Sequence, residues 1–307
     1  MVRISATKCF LLCITMSLCI YFIFRCDPNP QNAARSENVE NNLNPKFQPV
    51  QNMDEEREVK HTINDISDWH PHTLAVIVPF RDRFEELMEF APWIHTFLNN
   101  QKIPHKIVVV NQIDSHRFNR ASLINIGFLK TRDECDYLVM HDVDLLPNNA
   151  ELLYHFPEKG PYHLASPEYH PMYHYKTYIG GVLMMTIKHF QMCRGLSNTF
   201  WGWGREDDEL YLRFRENSLT LYRPTGLRTG YETFKHIHDK ERRPRDYKRY
   251  GEQKKTQFQR DKTTGYDTLR YTLESERVLT IDEAPVHVYN VELFCDKTKT
   301  PWCDHSR

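Results

Sequence analysis

The segment Trp201-Gly202-Trp203-Gly204-Arg205 runs directly into four consecutive acids, Glu206-Asp207-Asp208-Glu209. Adjacent carboxylates repel one another, so the run needs a helix N-terminus, a cation or bound hydroxyls to hold it. Indole faces stack on the apolar faces of sugar rings, carboxylates accept from sugar hydroxyls, and the two glycines would let the loop hinge over a ligand. The plainer alternative is an acidic first turn of a helix beside core tryptophans. Tyr173, Tyr175 and Tyr178, ahead of Gly180-Gly181, add further rings, with core packing as the competing account of Tyr178.

Asp142-Val143-Asp144 interrupts the apolar stretch Tyr137 to Leu146. Read as a strand end, it turns both carboxylates to one face. A hard divalent cation bridging a diphosphate would answer that charge; two ordinary turn carboxylates are the alternative. His236-Ile237-His238 repeats the i, i+2 spacing with imidazoles. Two imidazoles and an aspartate suit manganese or another borderline ion better than magnesium, although among 16 histidines chance pairs are expected. The stretch Lys240 to Lys262 is strongly basic and reads either as a solvated amphipathic helix or as a face for a polyanion.

These groups need a frame. Leu74 to Phe80 (LAVIVPF) is a continuous apolar run, the mark of a strand covered on both faces. Phe84 to Leu98 has helical spacing, with Pro92 dividing it in two. Lys106 to Asn111 returns to strand, Arg120 to Lys130 to helix, and Tyr137 to Leu146 to strand. The pattern predicts an α/β fold, βαβαβ, whose ligand crevice lies beyond the carboxyl ends of the strands, where Pro79-Phe80-Arg81 and Asp142-Val143-Asp144 would sit. The second half predicts a strand over Ile179 to Ile187, a helix over Asp207 to Glu216, a basic helix around Arg242 to Gln259, and short strands near Thr268 to Thr272 and Val286 to Tyr289.

With 307 residues, 40% of them hydrophobic, and 40 Lys+Arg against 41 Asp+Glu, most of the chain is an ordinary folded protein. The formal charge of −1 argues against a surface that is wholly a trap for nucleic acid. Ahead of the folded part, Cys9 to Phe24 is uncharged and apolar. It reads as a signal anchor over 9–25, after a cytosolic tail 1–8, rather than as a cleaved signal peptide, since Arg25-Cys26-Asp27-Pro28 offers no small-residue cleavage site. Residues 26–65 form a polar stem, and 66–307 the folded domain. Cys295 and Cys303 bracket a short loop and either close a disulfide or stay free; Cys135 and Cys193 are isolated.

Val78-Pro79-Phe80-Arg81-Asp82-Arg83, Phe118-Asn119-Arg120-Ala121, His141-Asp142-Val143-Asp144, Tyr178-Ile179-Gly180-Gly181 and Trp201 to Glu209 together resemble the β-1,4-galactosyltransferase family, from about Leu74 to the C-terminus. Within it the chain is most similar to the xylose-directed branch. His-Ile-His stands where GlcNAc-directed members carry Met-x-x-His, Arg205 stands for a glycine, and their catalytic-domain cystine pattern is missing. The resemblance implies a GT-A fold, a Rossmann-like nucleotide-sugar half and an acceptor half, in a single-pass type II Golgi membrane protein with a lumenal catalytic domain. It implies manganese, UDP-galactose as donor, and xylosylated proteoglycan core proteins as acceptors. By position it implies donor contacts at Pro79, Phe80, Arg81, Arg83, Phe118, Arg120, Asp142, Val143 and Trp203. Acceptor contacts fall at Tyr173, Tyr175, Tyr178, Trp203 and Asp208, metal ligands at Asp144, His236 and His238, the catalytic base at Asp207, and a disulfide at Cys295–Cys303. Asp207 needs only ordinary acidity if the proton moves late in the reaction. The competing functions are transfer to a GlcNAc acceptor, a metal-dependent nucleotide-sugar phosphoesterase, and a silent sugar-binding scaffold.

Overall fold

A computed structural model describes residues 68–228 and 230–304; the expected tail, anchor and stem lie outside them. Among the described residues no helix is long and apolar enough to cross a membrane. The apolar run Leu74–Phe80 forms β1, buried along its whole length. Helix α1 (Phe84–Asn100), strand β2 (His105–Gln112), helix α2 (Arg120–Thr131) and strand β3 (Tyr137–His141) follow. β1 pairs in parallel with both β2 and β3, which is the arrangement the alternating pattern predicts.

Pro92 does not divide α1, which runs through it as one helix. The carbonyl that loses its partner belongs to Met88, a residue half exposed, so water can serve it. The expected strand Tyr137 to Leu146 is also corrected. It ends at His141 and resumes as β4 (Leu145–Pro147), leaving Asp142 to Asp144 in the turn between. Their carboxylates therefore do not share a strand face.

β5 (Tyr162–His163) and β6 (Val182–Thr186) extend the sheet antiparallel beyond β3, and the short helix α3 (Ile187–Met192) follows β6. On the other side β9 (Ala284–Leu293) runs parallel to β2, and β8 (Tyr271–Ile281) folds back on it as the edge. The order is β5-β6-β3-β1-β2-β9-β8. Both hairpin strands are longer than the sequence predicts, because the edge strand β8 buries only Ile281 and carries no continuous apolar run. One core cluster joins Ile77, Leu138 and Met140 of the sheet to Ile124 and Phe128 of α2 and to Leu210 and Phe214 of α4 (Glu206–Glu216).

The basic stretch is mostly irregular. Only α5 (Gln253–Gln257) is helical. Pro244 and the left-handed Gly251 (φ 49°) break the rest. Three of its five arginines are already ion-paired: Arg242 and Arg243 with Glu85, and Arg260 with Glu209 and Glu216. Much of its charge is thus neutralised internally rather than presented to a polyanion. Near the C-terminus Cys295 and Cys303 form a disulfide, Cα atoms 5.9 Å apart. Cys135 and Cys193 are buried free thiols.

Candidate active site

A short ribbon brings distant residues together. β4 pairs antiparallel with β7 (Phe234–His236), placing Leu145 opposite His236, and the Ile237 N–H donates to the Asp144 carbonyl at 2.9 Å. Asp144 and the two histidines therefore lie on one side of the crevice beyond β1 and β3. The Asp144 Oδ2 is 3.1 Å from His238 Nδ1, and the two imidazoles lie 5.7 Å apart at an interplanar angle of 21°. Arg83 Nη1 approaches both Asp144 and His238, 3.1 Å from His238 Nδ1 and 3.5 Å from Asp144 Oδ2.

As they stand, no three His, Cys, Asp or Glu side chains among the described residues are arranged to hold a metal ion. The donor set nevertheless fits one in its chemistry. His238 Nε2 is buried with no hydrogen-bond partner, a cost that a ligand at that nitrogen would remove. Burial pushes His236 below its ordinary value and so keeps it neutral, the form that binds metal. Burial acts to raise Asp144, but the His238 hydrogen bond and the charge of Arg83 help to outweigh it, and the carboxyl is held low.

Two cavities meet here. The first, 330 Å³, is lined by Pro79, Arg81, Arg83, Val143, Asp144, His236 and His238 among others. The second, 700 Å³, is lined by Tyr175, Tyr178, Asp207 and Asp208. They share the wall Phe118, Arg120, Asp142, Tyr173, Gly202, Trp203 and Arg245. The Phe80 side chain lines neither: strand alternation sends it into the core, where it is 1% exposed, between cavity-facing Pro79 and Arg81. Arg81 donates to the carbonyls of Gln112, Asp114 and His116, bracing the loop that carries Phe118.

The four acids fall in the first turn of α4, where the helix dipole favours them. Each has a different environment. Glu206 faces Arg120 at 3.7 Å, and Arg120 also grips Asp142 at 2.7 Å. Asp208 pairs with Arg205 at 3.4 Å and accepts from the Tyr175 hydroxyl at 3.4 Å. Glu209 is buried against Arg213 and Arg260. Asp207 alone has no ion pair among the described residues. Burial, then Glu206 and Asp208 beside it, pushes its pKa up to about 8, well above the ordinary acidity that would suffice for a late proton transfer.

The rings of Tyr173, Tyr175 and Tyr178 cluster, each of the outer two about 5 Å from Tyr178. Tyr178 is 5% exposed and anchors the group in the core while also lining the second cavity. Trp203 sits on the shared wall, held from behind by residues 245–249: its N–H donates to the Asp246 carbonyl, its carbonyl accepts from Arg249, and its ring meets Tyr247 at 4.8 Å. Gly202 adopts φ 81°, and a Cβ there would lie 2.0 Å from Arg117, so only glycine suits the position. Arg205 is left-handed at φ 78°, a conformation natural to glycine. Its guanidinium stacks 3.7 Å from the Phe258 ring centre and pairs with Asp208, contacts that offset the strain.

His170, Arg117 and Arg245 also belong to this region, and spacing alone did not single them out, because all three come from irregular segments. Arg117 is gripped by Asp246, Gln253 and the carbonyls of Lys248 and Trp302.

The N-terminal region of glycosyl transferase group 7 matches residues 26–157, and the N-terminal domain of galactosyltransferase matches residues 160–238. The chain is 50% identical to β-1,4-galactosyltransferase 7 of Mus musculus over 96% of this chain and 88% of that protein. It is 48% identical to the xylosylprotein 4-β-galactosyltransferase of Caenorhabditis elegans over 76% of this chain and 82% of that protein. Among solved structures, a mutant of Drosophila β-1,4-galactosyltransferase 7 in complex with manganese, UDP-galactose and xylobiose matches with a TM-score of 0.75. That match has 48% identity and covers 76% of this chain and 100% of that one.

Proposed function

Since the chain belongs to the β-1,4-galactosyltransferase family, we propose that it transfers galactose from UDP-galactose, with inversion, to the 4-hydroxyl of β-xylose on proteoglycan core proteins. The observation that carries this reading is the shared wall. A cavity with metal-type ligands and arginines adjoins one with three tyrosines and an unpaired carboxylate, so a sugar nucleotide in the first would present its sugar to an acceptor in the second. The bound manganese and xylobiose of the Drosophila structure support both assignments.

Asp207 takes the proton of the attacking hydroxyl. Its raised pKa makes it a stronger base than an ordinary aspartate and places it near working pH. Tyr173, Tyr175 and Tyr178 present ring faces to the acceptor sugar, and Asp208 accepts from one of its hydroxyls. Trp203 covers the junction, excluding water that would otherwise hydrolyse the donor. Asp144, His236 and His238 would hold manganese, which when bound neutralises the charge gathering on the departing diphosphate. Arg120, tied to both Asp142 and Glu206, keeps the two cavities in register.

The same reading places the catalytic domain in the Golgi lumen behind a type II anchor at 9–25. The Cys295–Cys303 disulfide supports an oxidising compartment. The test is a matrix assay of the full-length chain in detergent, crossing several UDP-sugars with xyloside and GlcNAc acceptors, with and without manganese. Galactose transfer to xyloside alone is expected. Transfer to GlcNAc would reassign the acceptor, and free galactose released without any acceptor would replace transfer by donor hydrolysis.

A further inference from the structure

Six arginines line the donor cavity, and five of them already have a carboxylate. Arg81 pairs with Asp114, Arg83 with Glu86 and Asp144, Arg120 with Asp142, and Arg242 and Arg243 with Glu85. Arg245 is the exception: no acid lies within ion-pair distance of it among the described residues. Its guanidinium donates to the Tyr173 hydroxyl and lies 5.5 Å from the Tyr173 ring centre and 5.2 Å from that of Trp203. It lines both cavities. A half-buried cation without a counter-charge is costly to hold, and the vacancy is complementary to an anion that arrives with the ligand.

We infer that Arg245 is a catalytic residue that binds the diphosphate of the donor and stabilises it as it leaves. The inference rests on the donor assignment proposed above. As the acceptor oxygen bonds to the anomeric carbon, the bond from that carbon to the β-phosphate oxygen breaks and its electron pair passes to the phosphate. The hydroxyl proton goes to Asp207, and UDP departs with one more negative charge than it carried as an ester. A planar guanidinium with several N–H groups not used by the protein is suited to a phosphate that gains charge.

The test is binding of uridine, UMP and UDP to the full-length protein at fixed manganese, by calorimetry, for Arg245→Gln and Arg245→Lys. Affinity for UDP should fall about tenfold or more in Arg245→Gln and less in Arg245→Lys, while uridine affinity changes less than twofold. The kcat should fall with UDP affinity. If UDP affinity stays within twofold and only the acceptor KM rises, Arg245 serves to brace Tyr173 and Trp203, and the inference is overturned. Tyr173→Phe, which removes that brace and keeps the cation, should leave UDP affinity unchanged; a loss equal to that of Arg245→Gln would also overturn it. A wild-type protein that binds UDP no better than uridine would overturn the sugar-nucleotide reading itself, and this inference with it.

Discussion

Asp207 Oδ2 occupies the space in which a side chain on Gly180 would begin: a Cβ at Gly180 would stand 2.7 Å from that oxygen and 2.8 Å from the Tyr178 ring. Asp207, the proposed base, and Tyr178, proposed to face the acceptor, are thus both positioned against a bare stretch of backbone. Gly180→Ala should displace Asp207 by a fraction of an ångström or more and lower kcat by roughly 10- to 100-fold. The overpacking should cost about 1–3 kcal/mol, a fall in Tm of several degrees. Steady-state kinetics and a thermal melt on one preparation check both; unchanged kcat would mean that the reacting proton does not go to this oxygen.

The elevated pKa of Asp207 gives a pH signature. A base must be ionised, so kcat/KM of the free enzyme should rise with pH and level off above about 8. Asp207→Asn should abolish turnover while UDP and manganese still bind. A profile that is flat between pH 6 and pH 9, or turnover near wild type in the variant, would remove Asp207 from the base role.

Stability should move the opposite way. Between its ordinary value of 3.8 and about 8, Asp207 holds a proton in the folded chain that the unfolded chain has released. The folded state therefore binds more protons in that window, and its stability declines as pH rises through it. Asp207→Asn should flatten this decline and raise Tm at pH 8 relative to wild type. Melts across pH 5 to 9 without ligands test it, and parallel curves for the two proteins would contradict it.

Removing one imidazole should show first in the metal. His238→Ala should weaken manganese binding by at least about tenfold, since one of the ligands in the set is lost. The readout is a manganese titration followed by calorimetry and, separately, by activity. An unchanged titration curve would exclude His238 from the set.

The Cys295–Cys303 bond closes a loop of sequence separation 8. The chain-entropy relation gives it about 2.5 kcal/mol, so Cys303→Ser should lower Tm by roughly 5–10 °C and leave kcat at 25 °C nearly unchanged. A drop in kcat comparable to that of Gly180→Ala would tie the C-terminal loop directly to catalysis.

The parts of the fold that were legible in the sequence are those written in continuous apolar patterns. β1, β2 and α2 bury nearly every apolar position and emerge close to their predicted ends. The Asp142–Asp144 turn was misread as strand because apolar residues flank it on both sides. What brings Asp144 to His236 is the β4–β7 ribbon, whose strands are three residues each and leave no periodic trace. The basic stretch has helical composition, but Arg242, Arg243 and Arg260 are drawn to acids on α1 and α4, a tertiary effect that no local pattern encodes. Asp207 was identified through the family resemblance. Its altered acidity depends on which neighbours pair with arginines, and that is visible only in three dimensions.

Arg117 fastens Trp302, at the chain's far end, to Asp246 and Lys248 behind the Trp203 loop. Trp302 is thereby tied, through Arg117, to the segment that backs the Trp203 loop. Replacing Trp302 with a smaller residue would loosen a clasp between two segments that lie more than fifty residues apart in the sequence.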